Sequence, residues 1–219
     1  IEKALEAGIQ VVAASGRALD SLPKDILEIP GIRYGITSNG AAVYRLSDRK
    51  CLKQCKLTKE SVREILKYTE GQDTAFEAFI EGKPYAQKEY VEDPVRFGAT
   101  QRAIPYIQST REPVADMVSF IYDHQEILDC LDIVVKSEEK KKELWKTLRE
   151  NVKDVYITSS VTQLLEISHR DSGKEAGIRF LLEYLGLKRE GLAAFGDGDN
   201  DREMLSYAQV GIAMENGSL

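Results

Sequence analysis

From residue 172 to residue 214 the chain switches repeatedly between helical and strand-like hydrophobic patterns, and that alternation limits its fold more than any other feature. Ser172-Gly173-Lys174-Glu175 reads as a capping box, after which Ile178, Leu181, Leu182 and Leu185 share one face of a helix that Gly186 stops. Leu192 to Phe195 is a short apolar run, Gly196 to Asp201 a polar turn, Arg202 to Tyr207 a turn or two of helix, and Val210 to Met214 a second apolar run. Helix, strand, helix, strand at this spacing predicts parallel strands in a doubly wound sheet. The start of the chain has the same texture. Ile1, Ala4 and Leu5 lie on one helical face, Gly8 ends it, and Ile9 to Ala14 is the nearly continuous apolar run of a strand buried on both sides. Tyr34 to Tyr44 then reads as a hairpin with Asn39-Gly40 as its two-residue turn.

Between these two stretches the pattern changes. Strand-like segments at Cys51 to Leu57, Thr74 to Ile80 and Tyr85 to Tyr90 interleave with a helix over Thr58 to Tyr68 that carries Val62, Ile65 and Leu66 on one face. Leu131 to Val135, Val155 to Thr158 and Leu164 to Ile167 read as further strands, and Ser137 as the cap of a helix bearing Leu144, Trp145 and Leu148. With 219 residues there is room for two folding units. The expected architecture is α/β: a Rossmann-like doubly wound parallel core from residues 1–46 and 169–219, with an inserted α+β cap domain from 47–168.

Composition removes several function classes. There are 30 basic and 36 acidic side chains, and no stripe of Lys or Arg of the kind that marks a nucleic-acid binder. No apolar run reaches the length of a membrane helix and no signal-like segment is present, so the reading is soluble, cytoplasmic and free of membrane partners. Cys51, Cys55 and Cys130 form neither a CxxC pair nor a zinc set. Oligomeric state is not legible.

The chemistry concentrates at Gly196-Asp197-Gly198-Asp199-Asn200-Asp201, where a strand gives way to a helix, the place at which open α/β sheets bind ligands. Three carboxylates so close repel one another, and a divalent cation relieves the repulsion; Mg²⁺ takes one or two carboxylates and keeps water and phosphate as its other ligands. An acidic solvated turn with Asp as helix cap is the plainer reading of the same residues. A calcium loop fails, because Arg202 stands where its turn glycine belongs. Ser15, with the amides of Gly16 and Arg17, sits at the end of the first strand and suits a phosphate oxygen, although a Ser-Gly turn is as often structural. Lys174 lies in a first helical turn, where the helix dipole disfavours a cation unless an anion is near; the alternative is a solvated surface lysine.

In this order, Ser15, a long insertion, Lys174 and the 197–201 cluster resemble motifs two, three and four of the haloacid dehalogenase superfamily, in its Cof-like type with a class IIB cap. Val11-Val12-Ala13-Ala14-Ser15-Gly16-Arg17 is similar to the family's strand ending in Thr/Ser-Gly-Arg, and Ser38-Asn39-Gly40-Ala41 to its Asn-Gly-Ala hairpin. Gly196-Asp197, Asn200-Asp201 and Met204-Leu205 match its fourth signature, and Ala213-Met214-Glu215-Asn216-Gly217 its ending. The resemblance implies a phosphatase acting with Mg²⁺ on a small phosphorylated metabolite such as a sugar phosphate. Ser15 and Gly16 would bind the transferring phosphoryl group, Lys174 would neutralise it and steady the nucleophile, and Asn200 would contact phosphate or hold Lys174. Asp197 would ligate the metal, and Asp201 would order the metal site directly or through water. An aspartyl-phosphate would form and be hydrolysed.

The family's first motif, Asp-x-Asp-Gly, supplies the nucleophile and is expected on a strand before Ile1; the helix expected after Met214 falls beyond Leu219. Glu175 also stands where the family has Gly. A phospho-ligand binder that has lost the nucleophile, or a phosphomutase of the same fold, are the competing readings. Cap residues Tyr85, Tyr90, Arg96, Arg102 and Trp145 are unranked pocket candidates, and His169 is a candidate base or a structural histidine.

Overall fold

The computed structural model describes residues 1–217. The chain opens with α1 (Glu2–Glu6), β1 (Val12–Ala14) and α2 (Lys24–Leu27), followed by β2 (Tyr34–Thr37), β3 (Ala42–Arg45) and β4 (Lys50–Gln54). These strands form one sheet in the order β1-β2-β3-β4, with β1 parallel to β2 and the remaining pairs antiparallel. Pairing of Lys50–Gln54 with β3 carries this sheet past residue 46, where the sequence reading ended the core. The first strand is shorter than expected: Ile9 is exposed, and its N–H bonds back to the Ala4 carbonyl in a turn after α1.

A second sheet is built from β5 (Thr74–Ile80), β6 (Lys83–Gln87), β7 (Glu112–Val114), β8 (Leu128–Val135), β9 (Val155–Thr158) and β10 (Leu164–His169), in the order β7-β6-β5-β8-β10-β9. Its helices are α3 (Lys59–Thr69), α4 (Lys88–Glu92), α5 (Ile104–Thr110), α6 (Met117–Asp123) and α7 (Glu138–Asn151). Side-chain caps start three of them: Thr58 Oγ1 accepts from the Ser61 amide at 3.1 Å, Asp116 Oδ1 from the Ser119 amide at 3.0 Å and Ser137 Oγ from the Lys140 amide at 3.2 Å. The strands alternate, apart from an irregularity where Ile80 pairs with Leu128. Phe76, Ala78, Ile80, Leu131, Ile133, Val135, Leu165 and Ile167 point to one face and pack on Val62, Ile65, Ile121, Leu144 and Leu148, each fully buried aliphatic contributing about 1.5–3 kcal/mol. β7 was not foreseen. Pro113 breaks its strand pattern, and its place at the sheet edge is where a proline is tolerated.

The chain then returns to the first unit with α8 (Lys174–Leu185), β11 (Ala193–Gly196), α9 (Arg202–Tyr207) and β12 (Val210–Ala213), β11 running parallel to β12. Ile36, Val43, Ile178, Leu181, Ala194 and Met204 form the core that joins these elements to β2 and β3. Two expectations need correction here. The hairpin loop is longer than two residues, since the last β2–β3 pair is Thr37 with Ala42, and Ser38, Asn39 and Gly40 all take positive φ. The Ser172 capping box does not form either: α8 starts one residue later with Gly173 at its N-cap, and Glu175 pairs with Arg179 instead. The reason is contact between these two segments. A Cβ on Gly40 would fall 1.9 Å from the Gly173 carbonyl oxygen, and the Gly173 amide donates to the Asn39 carbonyl at 2.9 Å.

The parallel part of the core lies in two pieces. Among the described residues no ladder joins β1–β2 to β11–β12, and Phe195, Val210 and Ile212 on the second piece are exposed. No helix among the described residues is long and apolar enough to cross a membrane.

Candidate active site

The carboxyl ends of β1 and β11, the N-terminus of α8 and one face of the second sheet enclose a cavity of about 710 Å³ lined by Ser15, Gly16, Lys174, Asp197, Asn200 and Asp201. The structure thus brings all six of the predicted site residues together, from segments up to 186 positions apart (201 minus 15).

Ser15 follows β1 directly, its amide bonded to the Ile36 carbonyl at 2.9 Å, and its Oγ accepts from the Arg17 amide at 3.1 Å, which closes the turn. Lys174 is buried, 6% exposed, and its ammonium is paired with Asp201 Oδ1 at 2.5 Å. The anion that its place in a first helical turn implied is therefore internal. The other Asp201 oxygen accepts from the Asp197 and Gly198 amides at 3.0 and 3.1 Å. Asp201 performs the task that the sequence reading offered to Asn200: it holds Lys174, and it fixes the loop that presents Asp197. The Asp197 carboxylate is exposed at the cavity, with Asn216 Nδ2 at 3.5 Å.

Asn200 does something the sequence did not suggest. Its Nδ2 donates to Asn39 Oδ1 at 3.0 Å, and Asn39 in turn donates from Nδ2 to Glu166 Oε1 at 3.1 Å and from its backbone to the Ser15 carbonyl at 3.2 Å. Asn39 is 1% exposed. With its carbonyl bound by Gly173, it ties the Ser15 turn, the entrance to α8, the Asn200 loop and strand β10 of the cap. The signal available in the sequence was Asn39-Gly40 itself, which turn chemistry explained without need of a side-chain role.

Glu166 and Gly16 meet closely: a Cβ at Gly16 would lie 2.8 Å from Glu166 Oε1 and 3.0 Å from Asn39 Oδ1. Gly16→Ala should therefore push the cap strand from the Ser15 turn, lowering stability by about 1–3 kcal/mol by overpacking. Urea denaturation together with KM for the best substrate would test this, and unchanged values for both would refute the close approach.

Of the cap candidates, Tyr90 and Arg102 line the cavity. Tyr85 does not, because it packs with Phe120 on the helical side of the sheet, and Arg96 is exposed beside Phe97. Trp145 lines a separate hollow on α7. His169 is half-buried at the end of β10, where Nδ1 accepts from the Asp171 amide at 3.2 Å, and it is not among the cavity-lining residues. The cap contributes instead Tyr106 and Arg111, with Arg17 of the core stacked 4.2 Å from the Tyr106 ring centre and Arg111 4.6 Å from it.

For a metal, the donors at hand are hard oxygens, and the exposed Asp197 carboxylate fits a Mg²⁺ that keeps water and phosphate as most of its ligands. Among the described residues no cluster of three or more Asp, Glu, His or Cys forms a closed metal cage.

A family model for haloacid dehalogenase-like hydrolases matches residues 1–219. Phosphatase YwpJ of Bacillus subtilis is 25% identical over 240 residues, spanning 99% of this chain and 81% of its own length. The 5-amino-6-(5-phospho-D-ribitylamino)uracil phosphatase YwtE of the same organism is 27% identical over 250 residues, 99% of this chain and 79% of that one. Among solved structures, a haloacid dehalogenase-like hydrolase from B. subtilis superposes with a TM-score of 0.81 at 25% identity, covering 99% and 81% of the two chains. The subclass IIB sugar phosphatase BT4131 shares the fold, with a TM-score of 0.79 at 18% identity over 99% and 78%. A parallel core with an inserted α+β cap, Ser15, Lys174 and Asp197 around one cavity, and a family match over the whole length have one meaning: the chain belongs to the haloacid dehalogenase-like hydrolases, as an enzyme of the phosphatase type.

Proposed function

We propose that the protein hydrolyses a small phosphomonoester with Mg²⁺, through an aspartyl-phosphate carried on a strand that seats between β1 and β11. The observation that carries this reading is the convergence of the Ser15 hydroxyl, the Lys174 ammonium and the Asp197 carboxylate on one cavity beneath the cap. Ser15 and Gly16 hold phosphoryl oxygens, and Lys174, oriented by Asp201, neutralises the charge that spreads over them. Mg²⁺, held by Asp197, would add further charge compensation when bound. Asp201 orders that site through the loop amides, and would act on the metal directly or through water. Among the described residues the edges of β1 and β11 are unpaired, which supports a further strand between them, and the second sheet with its helices is the lid over the leaving group. The sugar and ribityl phosphates in relatives' names support a small phosphorylated metabolite as substrate.

Phosphate release from a panel of phosphomonoesters, with and without Mg²⁺, tests the reading on protein expressed from the complete reading frame. Turnover should require Mg²⁺, and Lys174→Ala and Asp197→Ala should each lower it by about 10³-fold or more, the scale for loss of one transition-state charge partner. A folded protein inert across the panel would instead favour a phospho-ligand binder.

A further inference from the structure

Three carboxylates stand side by side on the face of the cap sheet that looks into the cavity. Glu77 on β5 is in register with Asp132 on β8, and Asp132 with Glu166 on β10, so the row crosses the three central strands. Their exposures are 0%, 2% and 4%. Like charges directly opposite one another weaken a sheet, and a buried carboxylate requires a partner. Arg111 supplies one to Glu77 alone, through Nε to Oε1 at 3.1 Å and Nη2 to Oε2 at 2.8 Å. Asp132 accepts from the Cys130 thiol at 3.2 Å. Glu166 commits Oε1 to Asn39, while its Oε2, buried at the cavity wall near Ser160, makes no hydrogen bond of ordinary geometry among the described residues. The same face is apolar on either side of the row, with Ala75, Val134 and Leu164 at one end and Phe79 at the other. Replacing buried acids by well-packed aliphatic residues is often neutral or stabilising, so the row is not explained by the stability of the sheet.

Burial, with Glu166 and Glu77 alongside, holds the Asp132 carboxyl well above the usual carboxylate range, and burial raises Glu166 as well. A carboxyl that keeps its proton is both a donor and an acceptor.

We propose that Asp132 and Glu166 form the subsite for the leaving group of the substrate, and that this subsite takes an uncharged, polyhydroxylated chain or ring. Hydroxyls donate to Glu166 Oε2 and accept from Asp132. A leaving group with a carboxylate or second phosphate meets a row of acids whose one guanidinium is already engaged by Glu77. Arg17 is stacked on Tyr106, which leaves exposed Arg102 as the remaining guanidinium of the cavity. The proposal rests on the reading of the cavity as a phosphomonoester site.

Three ligands separate the alternatives: sorbitol 6-phosphate, 6-phosphogluconate, which differs from it by a terminal carboxylate, and hexyl phosphate, which has no hydroxyls. Affinities come from ligand-induced shifts in melting temperature, which need no turnover, alongside phosphate release, on the complete protein with Mg²⁺. Sorbitol 6-phosphate should bind at least about tenfold more tightly than either of the others, and Asp132→Val should bring all three to within about twofold of one another. Equal affinities in the unmodified protein, 6-phosphogluconate binding tightest, or a preference that survives Asp132→Val would overturn the subsite; the ligand ranking alone decides if the variant does not fold. A binding preference without phosphate released from any ligand would uphold the subsite and sink the phosphatase reading, whereas equal turnover of all three would do the reverse.

Discussion

Asp201→Ala is expected to reduce phosphate release to background and to destabilise the fold by about 3–5 kcal/mol, the scale for breaking one side of a buried ion pair. The side chains of Lys174 and Asp201 are 7% and 6% exposed, so the ammonium left behind would have neither solvent nor counter-charge. The same substitution orphans the Asp197 and Gly198 amides, which share Asp201 Oδ2. An unsatisfied buried donor costs about 1–3 kcal/mol, and losses within one network do not simply add. Function suffers by two routes: Lys174 loses its orientation, and the loop that aims Asp197 into the cavity loses its anchor. Asp201→Asn separates them. It keeps an oxygen for the two amides but removes the charge opposite Lys174, so stability should fall less than in Asp201→Ala while turnover stays low. Urea denaturation and phosphate release measured on both variants provide the check. Near-normal turnover in Asp201→Asn would mean that the carboxylate serves only as a loop cap.

That prediction turns on a pairing only half visible in the sequence. A lysine in the first turn of a helix signals a nearby anion by electrostatics alone, and the core strands were legible as short unbroken apolar runs, even though Phe195, Val210 and Ile212 stay exposed. What pairing and register decide was not legible. Lys50–Gln54 joins the first sheet because β3 offers it an edge, and nothing in its composition distinguishes it from a cap strand. The capping box had the right residues, yet Gly173 took the cap position once its peptide was engaged by the hairpin at Asn39 and Gly40. The acid row left a trace in each strand, at Glu77 in Thr74–Ile80, Asp132 in Leu128–Val135 and Glu166 in Leu164–His169. A single polar residue on one face of an apolar strand reads as an outward position until register shows that three of them coincide. Which segments meet at Asn39 is likewise a long-range fact, the sum of four contacts with four separate stretches of chain.

Asn39→Ala is the second change with a large expected effect, a loss on the order of 10²-fold in kcat with KM little altered, because misplacing reacting groups by about an ångström is enough to cause it. Asn39 is not among the cavity-lining residues and acts as a positioning residue. Its backbone takes φ of +52°, a conformation Asn tolerates better than Ala does, so the substitution strains the hairpin as well as deleting two side-chain hydrogen bonds. Asn200 Nδ2 loses its acceptor, and Glu166 loses the donor on Oε1. Leaving these groups unpaired should lower stability by about 2–4 kcal/mol. Asn39→Asp tests the direction of the network: it keeps an acceptor for Asn200 but sets an oxygen against Glu166 in place of an amide donor, and repulsion should lift the cap strand from the Ser15 turn. A merely structural asparagine would give Asn39→Ala a lower melting temperature with unchanged kcat measured well below it. If instead kcat falls in both variants while KM holds, the contacts that Asn39 makes with Ser15, Gly173, Asn200 and Glu166 are what bring three catalytic segments and the cap into one register.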